Sequence, residues 1–97
     1  MGLVLLDLTF RIERGFNLQL PKGWWVEHLG LSPGPNGRDI TLARLHDELL
    51  QECERQGVEP PSNSWLLLVT FVADAAGFKP SEVLPETMLL RDVTPNG

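Results

Sequence analysis

A small all-helical bundle with long ordered loops is the fold class that this sequence predicts, and three observations predict it. Apolar residues recur at three- and four-residue spacing in separate stretches, a glycine follows each stretch, and proline and glycine mark the connections between them. No internal repeat is visible.

The organising stretch is residues 3–21, LVLLDLTFRIERGFNLQLP. Leu3, Leu6 and Phe10, with Val4 and Leu8, form one broad apolar stripe of a helix. Gly15 is expected to close it, because glycine takes the left-handed conformation without strain. Phe16, Leu18 and Leu20 then alternate with Asn17 and Gln19 and stop at Pro21, which reads as an extended segment whose apolar side chains plug a core. Residues 24–29 form one short helical turn or none. Two adjacent tryptophans cannot both point inward from a helix, so one of Trp24 and Trp25 is expected to be part-exposed, as a lid over the core edge. A ligand-stacking pair is the alternative. Residues 30–39, with Pro33, Gly34, Pro35 and Gly37, are loop by composition.

The second helix covers residues 41–56, with Asp39 or Thr41 as the cap that accepts from its free first-turn donors. Leu42, Leu45, Leu49 and Cys53 form its inner stripe, with Leu50 beside them. Arg44, Asp47, Glu48, Gln51, Glu52 and Arg55 take the wet side, and Gly57 ends it. Residues 58–63, with Pro60-Pro61, are a semi-rigid connector. The third helix covers residues 65–76, capped by Asn63 or Ser64 and closed by Gly77. Because Trp65-Leu66-Leu67-Leu68-Val69 is apolar nearly all round, it is expected to be the most buried of the three. Residues 78–90 read as loop, with a short turn opened by Pro80.

At 97 residues the chain is one domain able to bury a modest core. Its 42% hydrophobic and 22% charged residues exclude a disordered chain. No apolar run approaches the roughly 20 residues of a membrane span, and residues 3–8 lack the basic leader of a signal peptide. A cytoplasmic protein is therefore expected, and the single Cys53 agrees, since one thiol makes no internal disulfide. The net charge of -5 argues against nucleic acid, whose phosphates demand a basic face. The acid between residues 47 and 59 reads as a solvated helix face, compatible with a basic protein partner.

No catalytic or metal constellation emerges. His46, Glu48 and Cys53 share a helix, but His46 and Cys53 are two turns apart and no second cluster supplies further ligands. Asp7 and Arg11 form an i, i+4 pair that stabilises their helix a little. Asn96-Gly97 is a turn dipeptide.

Residues 72–93, VADAAGFKPSEVLPETMLLRDV, resemble the first helix and following loop of an acyl carrier protein. They place an acidic-aliphatic pair, then Pro85-Glu86-Thr87, then an aliphatic residue ahead of Asp92-Val93, where the family has Asp-Leu-Gly. Residues 3–21 resemble the family's second helix and its Phe-Gly-Ile-x-Ile-Pro exit. Ile40-Thr41-Leu42-Ala43-Arg44-Leu45 resembles the start of its last helix. The order is rotated. Joining the two ends gives Asp92-Val93-Thr94-Pro95-Asn96-Gly97-Leu3, the same length as the family's Asp-Leu-Gly-x-Asp-Ser-Leu.

The resemblance thus implies a carrier-type bundle in permuted order. Residues 1–57 match the family's second half, 58–64 are a linker that spans at most roughly 25 Å, and 65–97 match its first half. It implies either a closed monomer or a homodimer that exchanges halves. The family cofactor, 4'-phosphopantetheine, is carried on a serine, and the matching position here is Gly97, or Gly2 after the cut, preceded by Asn96. No cofactor is therefore expected. Ser32, Ser62, Ser64 and Ser81 sit in other contexts. The family's docking helix is acidic, whereas Asp7 and Glu13 are here offset by Arg11 and Arg14.

The implied function is a non-enzymatic, carrier-like module that acts by protein binding, with acyl-chain enzymes as its partner class. Leu3, Asp7, Arg11, Trp24 and Trp25 would form its partner surface. A permuted or altered carrier from fatty-acid, polyketide or peptidyl assembly is one alternative, and a dimerising structural domain is another. An acyl cavity, if the core kept one, would be lined by Phe10, Leu45 and Val69.

Overall fold

The computed structural model describes residues 3–21, 23–32 and 37–93, with the side chains of residues 3 and 4 left aside. Helix α1 (Leu3–Phe16) buries Leu5, Leu8, Ile12 and Phe16, at spacings of three, four and four residues. Of the members of the expected stripe whose side chains are described, Leu8 lies inside, and Leu6 and Phe10 face solvent. The segment is apolar on almost every side, so spacing supports more than one inner face. Packing against the next helices makes the choice.

Gly15 is inside α1 and does not stop it. A Cβ there would lie 2.4 Å from Cζ of Phe71, so the missing side chain is what lets the neighbouring helix approach. The left-handed residue is Asn17, at φ 56°, and Leu18 N–H returns to the Glu13 carbonyl at 3.1 Å, the closing bond of a Schellman-type end. Asparagine tolerates this conformation because its short amide can bond locally. Phe16, Leu18 and Leu20 are buried, as expected, but Phe16 is the last residue of α1 and Asn17 is left-handed, so the alternating segment begins only at Leu18 and Phe16 is buried by the helical spacing.

Helix α2 (Leu42–Gln56) starts at Thr41, whose Oγ1 accepts from Arg44 N–H at 3.2 Å. It buries Leu42, Leu45, Leu49 and Cys53 and closes at Gly57, φ 69°. Helix α3 (Ser64–Ala76) closes at Gly77, φ 79°. Neither expected cap serves it, since Asn63 makes no side-chain bond to the first turn and Ser64 is already helical. Leu68, Val69, Val72 and Ala73 are buried, the same number as in α2, while Leu66 is exposed. Leu66 and Asp74 are the exposed residues of α3, fewer than in α2 or among the described side chains of α1, so α3 is the most buried of the three long helices, as its nearly all-round apolar start predicts.

Asp39, read as a cap for α2, instead caps a short helix that the sequence did not announce, α4 (Leu89–Val93). Its Oδ1 accepts from Leu90 N–H at 2.7 Å and from Ile40 N–H at 2.8 Å, and its Oδ2 accepts from Arg91 N–H at 2.9 Å. Backbone pairing reinforces the joint: Leu89 N–H donates to Ile40 O and Leu42 N–H to Thr87 O, each at 2.9 Å. The turn expected at Pro80 is a 3-10 helix, Pro80–Glu82, and Ser32 pairs with Arg38 across the loop of residues 30–39. Among the described residues no helix is long and apolar enough to cross a membrane.

Gly15 supplies a direct test of the α1–α3 contact. An exposed helical Gly→Ala change ordinarily stabilises by about 1 kcal/mol, but here the methyl meets Phe71, so Gly15→Ala should bring no gain. Gly15→Val should destabilise by about 1–3 kcal/mol through overpacking. Urea unfolding measures both, and a full propensity gain for the alanine variant would contradict the packing.

Candidate functional site

The face of α1 turned away from the core carries two large apolar side chains one turn apart, Leu6 (54% exposed) and Phe10 (60% exposed). Beside them Arg11 Nε donates to Asp7 Oδ1 at 2.9 Å, and Arg11 Nη1 lies 3.6 Å from Asp74 Oδ2 on α3. The structure therefore brings Asp7 and Arg11, both expected from the sequence, to the edge of this patch. Their exposed ion pairs contribute little to stability, on the order of 0–1 kcal/mol.

Trp24 and Trp25 are elsewhere. Both are buried, at 4% and 7% exposure, in a π-helical turn (Trp24–His28) that lies between α1 and α2. Each indole is claimed by a different helix. Trp25 Nε1–H donates to Thr9 Oγ1 of α1 at 2.8 Å, and Trp24 Nε1–H points to Glu52 Oε1 of α2 at 3.4 Å. The rings meet edge to face, 5.2 Å apart at 82°. This corrects the expectation of a part-exposed tryptophan and removes both rings from the partner surface. A regular helix would have sent adjacent side chains 100° apart toward one core, whereas a wedge with core on two sides buries both.

Of the acidic residues between 47 and 59, Asp47, Glu54 and Glu59 are exposed, as a solvated face requires, while Glu48 and Glu52 are partly buried in contacts. His28 Nε2 lies 2.9 Å from Glu48 Oε2 and 3.0 Å from Arg55 Nη2, and the His28 ring stacks on Trp24 with centroids 5.5 Å apart. Arg55 is ion-paired with Glu52, and Gln56 Nε2 donates to Glu52 Oε2 at 2.8 Å and to Gln19 O at 2.8 Å. Burial pushes the Glu52 carboxyl upward, but hydrogen bonds from Gln56, Arg55 and Trp24, with the charge of Arg55, outweigh it and hold the group below its ordinary value. A nearby surface cleft is lined by Glu13, Gln19, Leu20, Pro21 and Gln56, and its polar floor is already paired, Glu13 Oε2 accepting from Leu20 N–H at 2.8 Å.

The histidines and the thiol do not converge. His46 Nε2 lies 2.8 Å from Ser64 Oγ, and Glu48 faces His28. Cys53 is fully buried, and burial, followed by the charge of Glu52, raises its thiol. Among the described residues no group of three or more His, Cys, Asp or Glu is placed to hold a metal ion. Leu45 and Val69 are core residues, but Phe10 points to solvent, so the three do not share a cavity wall. The side chain of Leu3, and Gly2, Asn96 and Gly97, lie outside the described residues.

Leu6 and Phe10 are what sequence reasoning assigned to the wrong side. The competing spacing Leu5-Leu8-Ile12-Phe16 was present in the same stretch, and periodicity alone could not rank the two. No family model, curated protein or solved structure matches the chain.

Glu52 contributes stability above its unfolded value, near 4.5, and loses that contribution as pH falls through its lower folded value. The melting temperature should therefore drop below about pH 4.5 more steeply in the wild type than in Glu52→Gln. Parallel pH profiles would contradict the paired carboxylate. Cys53 should react with a thiol reagent at least ~100-fold more slowly in the folded chain than in urea; comparable rates would mean that α2 is open.

Proposed function

We propose that this chain is a non-enzymatic module of acyl-carrier-protein type with rotated helix order, acting by protein binding through the outer face of α1. The observation that carries the reading is the exposure of Leu6 and Phe10 on the helix that resembles the carrier family's docking helix. Core residues on the opposite side of α1 satisfy the fold, so stability does not require these two to be apolar. Exposed large apolar side chains grouped on one helix face are characteristic of interaction sites. Asp7 and Arg11 at its edge give the face balanced charge, so recognition rests on apolar contact more than on the steering that a uniformly acidic helix supplies.

The rotated order supports a carrier ancestry without carrier chemistry. The positions matching the modified serine, Gly97 and Gly2, have no hydroxyl to attack coenzyme A. On this reading the partner is a protein that handles acyl chains, and the compartment is the cytoplasm.

Two experiments test the reading. Leu6→Ser and Phe10→Ser should each leave the melting temperature within about 2 °C of the parent, as exposed substitutions do; a large loss would mean that the pair serves the core. For the rotation, residues 65–97 are joined ahead of residues 3–64 with Gly97→Ser at the junction. With coenzyme A and a broad-specificity phosphopantetheinyl transferase, that variant should fold and gain one phosphopantetheine by intact mass, while the parent chain gains none. A helical, folded variant that stays unmodified would sink the carrier reading.

A further inference from the structure

Ser64 and His46 take no part in the α1 surface, and their placement carries chemistry of its own. The Ser64 hydroxyl is 2.8 Å from His46 Nε2, a contact made across 18 residues between α2 and α3 and therefore held by the tertiary fold. Both residues are half-buried, so the pair is partly shielded from water yet open to a small reagent. Trp65 sets its ring against the imidazole, centroids 5.5 Å apart at 76°, which fixes the plane of His46. Ser64 is the first residue of α3, and Asn63 leaves that first turn without a side-chain cap.

We propose that Ser64 is a nucleophilic serine with His46 as its general base, and that the pair accepts acyl groups from activated esters. A hydroxyl and an imidazole within hydrogen-bond reach are the working core of serine acyl transfer. Ser64 Oγ attacks the ester carbonyl carbon while His46 Nε2 takes the hydroxyl proton, giving a tetrahedral oxyanion beside the first turn of α3. The carbonyl re-forms as the bond to the leaving alkoxide or aryl oxide breaks, and the imidazolium proton passes to that group or to solvent. The product is acyl-Ser64, which water hydrolyses slowly to regenerate the hydroxyl. Ring packing, and no carboxylate among the described residues, orients His46, so the expected behaviour is acylation of one serine and poor turnover.

The test uses the full chain with p-nitrophenyl acetate, read by intact mass and peptide mapping. Acetylation of Ser64 should exceed that of Ser62, an exposed serine two residues away, by at least ~100-fold, the lower range for general-base assistance. His46→Gln should bring Ser64 down to the Ser62 rate, with circular dichroism confirming the fold, and Ser64→Ala should abolish the adduct. Equal rates at Ser62 and Ser64 in the wild type, or no response to His46→Gln, would overturn the proposal and leave the bond as a tie between two helices. If His46→Gln unfolds, the comparison of the two serines within the wild-type chain still decides.

Discussion

The wedge made by Trp24 and Trp25 is the constraint on which the remaining structure depends. Helix α1 packs principally on α3, and it is the π-helical turn that joins α1 to α2, one indole bonded toward each. Burial of two indoles is among the largest apolar contributions a chain of this size can make. It also brings two polar N–H groups inside, and both find acceptors, Thr9 and Glu52. The five residues of the turn therefore need partners on both flanking helices at once. Acid on the buffered side of α2 follows from that need: Glu52 serves Trp24, and Glu48 serves the histidine stacked on it.

A second constraint works at the other end of the bundle. Asp39 accepts three backbone N–H bonds, two of them from residues more than fifty positions later. Helix α4 has only five residues, far below the length at which a helix holds itself in water. A carboxylate placed at its first turn supplies both hydrogen-bond acceptors and a favourable charge. The start of α2 and the start of α4 are thereby fixed together, and Val83, Leu89 and Val93 are carried into the common core.

These two joints leave α1 with a consequence for function. One side of the helix faces the tryptophan wedge, another meets α3 at the close approach of Gly15 and Phe71, and the side holding Leu6 and Phe10 is left to solvent. Apolar character there is surplus to folding, and the proposed binding role rests on it. The same reasoning separates Asp7 and Arg11, which border that surface, from the tryptophans, which hold the bundle together.

Local chemistry by itself determined the positions of the three long helices, the left-handed glycines at Gly57 and Gly77, the Thr41 cap, the inner stripe of α2 and the burial of Phe16, Leu18 and Leu20. Each of these depends on residues within a turn or two of one another, so spacing and conformational preference suffice. Only the tertiary structure decided which face of α1 is inside, because Leu3 to Leu8 is apolar in nearly every direction and only neighbours can choose among faces. It alone decided that Gly15 is a point of close approach and that both tryptophans are buried. The pairing of Asp39 with α4, of Glu52 with Trp24 and of His46 with Ser64 was likewise invisible in the chain, since each joins residues 18 or more positions apart. Such contacts exist only once the helices have been packed.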